Sequence, residues 1–236
     1  MEDYFANKWC INFALEGHEV RVYGNLNAKT PLPVVYMHTI ADEGRAIWES
    51  CREKGLPPFV LAEIAVPDWH GDMSPWAGPS LTQRGEPFAG GADAYLPVLE
   101  RIMAKVERML DFKPLWRGLV GYSMAGLFAL YTLYRTDVFD RIASVSGSLW
   151  YWGFVDYVSE HTAVNRPQCI YMSLGDKEGQ VKDDVLNTVE PYTGRIYVRL
   201  STRGQRVAFE RNKGNHFHEP EARVVKAVAF LLAFGE

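Results

Sequence analysis

The sequence has little of what marks a membrane protein, a nucleic-acid-binding protein or a disulfide-stabilised secreted protein. Its 236 residues carry a formal net charge of −4, which gives no general attraction to nucleic acid or to an anionic membrane surface. No apolar run is long enough to span a membrane, and the acidic stretch 1–8 lacks the basic and apolar regions of a signal peptide. The sequence therefore predicts a cytoplasmic protein without a nucleic-acid or membrane partner.

Cysteine is scarce, and histidine and cysteine are not clustered. Cys10, Cys51 and Cys169 are odd in number and widely separated, which favours reduced thiols over a disulfide framework. Histidine and cysteine nowhere show the spacing of zinc ligands, and His216 and His218 would point to opposite sides of a strand. We therefore expect no metal site.

Strand and helix patterns alternate along the chain after an initial pair of strands. Residues 9–15 and 20–23 flank a break at 16–19, which predicts a β-hairpin. Apolar runs are typical of strands covered on both faces, and three-to-four-residue spacing is typical of helices. Strands are predicted at 33–39, 59–66, 117–122, 141–146 and 168–174, and helices at 43–54, 92–110 and 219–234. Stretches 195–200 and 206–210 are predicted to supply one or two more strands.

This order of elements predicts an α/β fold with a doubly wound, mostly parallel sheet. Residues 1–236 are expected to form one domain, because a chain of this length fills a single α/β domain. Residues 68–91 are rich in Trp, Gly and Pro and show no period, which predicts a long, ordered loop beside a pocket. Functional loops in such sheets lie at the carboxyl ends of the strands.

One of these strand ends carries a serine on a sharp turn. Residues 117–130 are RGLVGYSMAGLFAL, an apolar strand that runs through Ser123 into an apolar helix. A serine on a tight strand-to-helix turn projects its hydroxyl above the sheet edge, and its neighbours must be small for strand and helix to approach. Gly121 meets this requirement, whereas Ala125, followed by Gly126, stands where a second glycine is usual. The pattern predicts that Ser123 is a nucleophile.

A serine nucleophile needs a base, which is usually a histidine oriented by a carboxylate. His216 lies in a turn-like segment between the last candidate strand and the last helix, a position that none of the other five histidines shares. The order serine, acid, histidine along the chain is that of α/β hydrolases. His216 is therefore the candidate base.

Two carboxylates just past a predicted strand end are candidates for the acid. The segment 171–179 contains Asp176 and Glu178, and the strand-Gly-x-x-acid spacing favours Glu178. Asp176 would then shape the turn, although it remains an alternative acid. Asp183 and Asp184 lie further along and are expected to be solvated or to cap a helix.

The backbone around the serine suggests an oxyanion hole. The N–H of Met124 lies at the N-terminus of the helix after Ser123, where unpaired N–H groups and the helix dipole favour negative charge. A second donor is expected just beyond the strand before the first core helix, at Ile40 or, as the alternative, Thr39. Among the loop aromatics, Trp69, Trp76 and Trp150 are candidates for the substrate pocket.

Several segments together resemble a known family. The chain is similar to the family of α/β hydrolases that includes esterase D-like enzymes and siderophore (enterobactin-type) esterases. The matching segments are PVVY (33–36), GYSMAGLFAL (121–130), FD through SGSLW (139–150), SLGDKE (173–178) and GNHF (214–217). Ala125 departs from the usual glycine.

The resemblance implies an α/β-hydrolase fold and a serine carboxylesterase that forms an acyl-enzyme. It implies Ser123 as nucleophile, Glu178 as acid and His216 as base, a pocket contribution from the loop after Ser146, a small-molecule ester substrate and no cofactor. An acyltransferase or thioesterase with the same three residues is the alternative function. A catalytically silent binding module of the same fold is a further alternative, which the intact serine, histidine and acid disfavour.

Overall fold

Strands and helices alternate through most of the chain. The computed structural model describes residues 10–82 and 85–235. The strands are β1 (Cys10–Leu15), β2 (His18–Tyr23), β3 (Val34–Thr39), β4 (Val60–Ala65), β5 (Ala77–Gly78), β6 (Phe88–Ala89), β7 (Arg117–Tyr122), β8 (Arg141–Val145), β9 (Cys169–Gly175) and β10 (Val207–Asn212). The helices are α1 (Gly44–Glu53), α2 (Trp69–Asp72), α3 (Ala92–Glu107), α4 (Met124–Thr132), α5 (Phe154–Glu160), α6 (Val189–Thr202) and α7 (Pro220–Ala233), with a 3₁₀ turn at Leu186–Thr188. Within the described ranges, no helix has the length and apolar character needed to cross a membrane.

Eight of the strands form one sheet in the order β1-β2-β4-β3-β7-β8-β9-β10. β1 and β2 pair antiparallel, as do β2 and β4, and the remaining neighbours pair parallel. The predicted N-terminal hairpin and mostly parallel sheet are therefore confirmed. β5 and β6 form a separate two-stranded pair inside the segment predicted as a long loop.

Apolar side chains cover both faces of the sheet, and β3 shows why its sequence is an almost continuous apolar run. Successive side chains of a strand point to opposite faces. Val34 and Tyr36 belong to a core cluster with residues of α3 and α4, whereas Val35 and Met37 belong to a cluster with residues of α1 and α7. The sheet is therefore doubly wound.

The strand predicted at 195–200 is wrong, because these residues lie within α6. Val189, Thr193, Ile196 and Leu200 are buried at helical spacing, while Val198 is exposed. β9 and β10 are parallel neighbours, and a parallel pair needs a long crossover connection, for which a helix is the usual solution. The β-branched side chains of Ile196 and Val198 favour a strand locally, but the connection decided the structure. Only the second stretch forms a strand, β10.

Thiol reactivity tests the burial of the cysteines. Cys51 and Cys169 are fully buried, and burial raises the pKa of their thiols to about 12 and about 11. Because the thiolate is the reactive form, we expect a thiol reagent at pH 8 to modify Cys10 first in the native protein. All three thiols should react in denaturant. Mass spectrometry of the labelled protein measures this order, and fast native labelling of Cys169 would contradict the packing.

Candidate active site

Ser123 occupies a strained turn between β7 and α4. Its backbone angles, φ 58° and ψ −122°, are rare for a residue with a side chain and cost about 1–3 kcal/mol. Two hydrogen bonds join the turn to the end of β8 and the loop after it: the Ser123 N–H donates to the carbonyl oxygen of Val145 (3.1 Å), and the Ser148 N–H donates to that of Ser123 (2.9 Å). The loop after β8 therefore stabilises the conformation that projects the serine hydroxyl.

Close packing around this turn explains its small residues. A Cβ on Gly121 would overlap the carbonyl group of Ala125, and a Cβ on Gly126 would lie 2.9 Å from the Cα of Gly147. Ala125, between them, is fully buried. The close approach of strand and helix therefore explains the glycines at 121 and 126.

His216 lies in the turn between β10 and α7, beside the serine. Its Nε2 lies 3.1 Å from the Oγ of Ser123, and its Nδ1 lies 2.8 Å from the Oε2 of Glu178. The hydroxyl of Tyr122 donates a hydrogen bond to the carbonyl oxygen of His216. The structure thus brings together the three side chains that the sequence predicted for the site.

The Glu178 carboxylate is buried and has a partner on each oxygen. Besides His216 on Oε2, its Oε1 accepts hydrogen bonds from the Gly175 N–H (2.6 Å) and from Nη1 of Arg223 (2.9 Å). Burial by itself would raise the pKa of this carboxyl, but the hydrogen bonds from His216 and Gly175 outweigh it and lower the pKa below its usual value. An ionised carboxylate in this position favours a proton on Nδ1 of His216 and leaves Nε2 free to accept one.

Asp176, the other candidate acid, contacts Gly214 in the turn between β10 and α7, not the imidazole of His216. Its Oδ1 accepts a hydrogen bond from the Gly214 N–H (2.7 Å), and Gly214 has a positive φ of 94°. Asp176 therefore fixes the turn before His216. The carboxylate in contact with the imidazole is that of Glu178.

Arg223 is a site residue that the sequence reasoning missed. It lies on α7, only 2% exposed, and its Nη1 donates to Glu178 and to the Oγ of Ser146. Its Nη2 donates to the carbonyl oxygens of Lys213 and Asn215, both at 2.9 Å. One guanidinium therefore joins the carboxylate to the histidine turn. A charged residue on the apolar face of a predicted amphipathic helix was the signal for this role.

The two N–H groups expected as oxyanion donors, those of Met124 and Ile40, belong to backbone segments near Ser123. Met124 begins α4, and the first N–H groups of a helix have no intrahelical acceptor. The N–H groups of Gly126 and Leu127 already donate to the Ser123 carbonyl oxygen. Ile40 directly follows β3, the parallel neighbour of β7, and lines the same cavity as Ser123.

A cavity of about 550 Å³ opens beside the serine. Its walls are mostly apolar, and His38, at the end of β3, contributes an imidazole whose pKa burial lowers to about 3. The apolar lining residues include Met37, Ile40, Ile47, Trp69, Phe217 and Val224. Of the three tryptophans predicted for the pocket, Trp69 lines this cavity.

Trp76 and Trp150 pack elsewhere. The indole N–H of Trp76 donates to the carbonyl oxygen of Trp152 (2.8 Å), and its ring centre lies 5.3 Å from that of Tyr157. Trp150 is 8% exposed and packs against Phe88 and Trp152. Neither is among the residues that line the cavity. Their contacts tie the loop 68–91 to the segment that follows β8.

In the part of the chain that the structure describes, no three His, Cys, Asp or Glu side chains lie close enough to hold a metal ion.

Comparison with known proteins identifies the family. Residues 19–219 match the model of the Esterase family, whose description is "Putative esterase". The chain belongs to this esterase family. The family is one of esterase-type hydrolases, and the chain has the α/β-hydrolase fold.

The chain is similar to several known proteins, and the share of each chain that is covered differs among them. The uncharacterized protein YbbA of Bacillus subtilis is 25% identical over 157 residues, which is 65% of this chain and 63% of the relative. The siderophore hydrolase EstB from Aspergillus nidulans superposes with a TM-score of 0.73 at 18% identity, over 96% of this chain and 95% of that one. An IroE-like serine hydrolase from Shewanella oneidensis has a TM-score of 0.70 at 17% identity, over 91% of this chain and 75% of that one. These structures share the α/β-hydrolase fold.

The packing at the serine turn yields a paired prediction on stability. Gly121→Ala adds a methyl group where no space exists, so we expect a loss of about 1–3 kcal/mol or more in the free energy of unfolding. Gly194→Ala, on α6 with open space around the new Cβ, should instead stabilise by about 0.5–1 kcal/mol. Urea unfolding of both variants measures the difference. Equal stability of the two would contradict the close approach of β7 and α4.

Proposed function

We propose that this esterase cleaves small-molecule carboxylic esters through an acyl-enzyme on Ser123, with His216 as general base and Glu178 as the orienting acid. The observation that carries the proposal is the unbroken hydrogen-bond chain from Glu178 through His216 to the serine hydroxyl. The three groups come from three different strand ends, so their alignment is specific to the folded chain.

The proposed reaction assigns a group to each step. The Oγ of Ser123 attacks the ester carbonyl carbon while Nε2 of His216 takes its proton. The negative charge on the carbonyl oxygen is stabilised by the N–H groups of Met124 and Ile40. The tetrahedral intermediate then expels the alcohol, which receives the proton from His216. A water molecule, deprotonated by His216, then attacks the acyl carbon. The bond between this carbon and the Oγ of Ser123 breaks, the oxygen regains the proton from His216, and the carboxylic acid leaves.

The surroundings of Glu178 support its role. Arg223 and the Gly175 N–H occupy Oε1, which leaves Oε2 to accept from the imidazole. The lowered pKa of Glu178 keeps it ionised at neutral pH, and its negative charge stabilises the imidazolium that forms during each proton transfer.

The cavity supports a neutral, partly apolar ester as substrate. Its lining combines apolar side chains with the carboxylates Asp42, Glu43 and Glu221, and none of its described lining residues is Lys or Arg. An apolar wall that includes Trp69 suits an acyl or alcohol group with a hydrocarbon or aromatic part. Strongly anionic esters should be poorer substrates of this site.

Covalent labelling tests the nucleophile. We expect a fluorophosphonate probe to label the wild-type protein at Ser123, and Ser123→Ala to lose both the label and the hydrolysis of short p-nitrophenyl esters. Ser148→Ala is the matched control, because its hydroxyl lies 3.3 Å from that of Ser123 but does not contact His216. It should retain the label on Ser123. If wild type and Ser123→Ala are equally unlabelled and inactive, the proposal is wrong.

Two isosteric substitutions distinguish the candidate acids. Glu178→Gln should lower kcat/KM by roughly 10³–10⁴-fold, because an amide no longer favours the tautomer that leaves Nε2 as an acceptor. Asp176→Asn keeps an oxygen for the Gly214 N–H and should cost less than about tenfold. Steady-state kinetics at neutral pH measure both. The reverse order of effects would assign the acid to Asp176.

A further inference from the structure

A second buried carboxylate lies directly behind the segment that carries Ile40. Glu63 is on β4, and its side chain is fully buried, on the face of the sheet covered by α1 and α7. The neighbouring β4 residue Leu61 contributes to the apolar cluster on that face. A charge in such a place is unfavourable unless hydrogen bonds and opposite charge compensate it.

The partners of Glu63 are concentrated on one segment. Its Oε1 accepts hydrogen bonds from the hydroxyl of Thr39 (3.0 Å) and from the N–H groups of Glu43 (3.0 Å) and Gly44 (2.9 Å). Its Oε2 accepts from the hydroxyl of Tyr23 (3.1 Å) and lies 3.6 Å from Nη1 of Arg21. Three of its donors therefore lie at the end of β3 and at the start of α1, on either side of the connection between them.

Ile40 lies between these anchored residues. Thr39 is held on the side of β3, where its carbonyl oxygen also accepts from the Val66 N–H (3.0 Å), and Glu43 and Gly44 are held on the side of α1. The Ala41 N–H donates to the side chain of Glu43 (3.1 Å). Across residues 10–82 and 85–235, no hydrogen bond of the structure uses the Ile40 N–H. That N–H is therefore available to a ligand, and its neighbours are fixed.

Helix capping accounts for part of this arrangement. Glu43, the N-cap of α1, makes no capping hydrogen bond with its own side chain, and Glu63 replaces it at the helix N-terminus. A Cβ on Gly44 would lie 2.6 Å from Oε2 of Glu63, so the helix start and the carboxylate are in close approach. The bond to the Thr39 hydroxyl lies outside the helix and is not needed for capping. It links the helix start to the end of β3, across Ile40.

We propose that Glu63 is a positioning residue of the esterase reaction, which holds the segment 39–44 so that the Ile40 N–H points at the oxyanion. This inference rests on the proposed function. The charge is essential to it, because every partner of the carboxylate is a donor. In Glu63→Gln the side-chain NH₂ would face one of these donors, and the segment would shift. A small shift of an oxyanion donor is enough to weaken its interaction with the transition state.

The test compares Glu63→Gln with Glu107→Gln. Glu107 is a matched control on the opposite face of the sheet, where its carboxylate accepts from a β3 tyrosine, Tyr36 (3.0 Å), and from Arg117. For Glu63→Gln we expect kcat to fall by about 10–100-fold with KM within about twofold of wild type, since oxyanion contacts act on the transition state. A trifluoromethyl ketone, which forms a similar oxyanion on the serine, should bind more weakly by the same factor. Glu107→Gln should change neither quantity more than about twofold.

Two further readouts separate positioning from a general structural role. The pH profile of kcat/KM should keep its shape, because His216 and Glu178 are untouched. Hydrogen exchange of the segment 39–44 should accelerate in Glu63→Gln and stay unchanged in Glu107→Gln. If Glu63→Gln fails to fold, Thr39→Val removes one donor and leaves the backbone in place, with an expected few-fold loss of kcat.

Unchanged kcat and unchanged exchange in Glu63→Gln would overturn the proposal, as would a rise in KM alone. Failure of the proposed function looks different: wild type and Ser123→Ala would then hydrolyse esters equally poorly. In that case the exchange data would show that Glu63 holds the segment, but the inference about the reaction would be overturned with the function.

Discussion

The parallel pairing of β3, β7, β8, β9 and β10 is the constraint on which the site depends. Parallel strands place their carboxyl ends at one edge of the sheet, and the connections that leave this edge carry Ile40, Ser123, Glu178 and His216. Because each group sits at the first residues after a strand, the hydrogen-bonded register of the sheet sets their relative positions. The chemistry proposed for this esterase is therefore a consequence of strand pairing as much as of residue type.

Buried charges stabilise this edge in a particular conformation. Glu178 and Glu63 are both almost completely inaccessible, and both accept from backbone N–H groups near the site: Glu178 from Gly175, and Glu63 from Glu43 and Gly44. Arg223 is bound to Glu178, and Arg21 lies beside Glu63. Buried ion pairs contribute little net stability because their desolvation offsets the attraction, so their value here lies in the geometry they impose. Segments fixed in this way would hold the proposed catalytic groups without rearrangement during the reaction.

The predicted hairpin, the parallel strands and most helices were accessible from the sequence because burial on one or both faces leaves a periodic apolar pattern. The stretch 195–200 was predicted wrongly, since its β-branched residues favour a strand while the crossover between β9 and β10 requires a helix. Trp76 and Trp150 could not be separated from Trp69 by composition. Which aromatic side chains face the cavity depends on how the loop 68–91 folds back onto the segment after β8.

The sequence by itself determined the main strands and helices of the sheet and the candidates Ser123 and His216, because local spacing encodes strands, helices and tight turns. It left two candidates for the acid that orients His216, Asp176 and Glu178, and gave no role to Arg223 or Glu63. Tertiary structure decided which carboxylate contacts the imidazole, through hydrogen bonds that span 38 residues from Glu178 to His216 and 93 from Ser123 to His216. Contacts at such separations follow from strand register and helix packing, which no local pattern specifies.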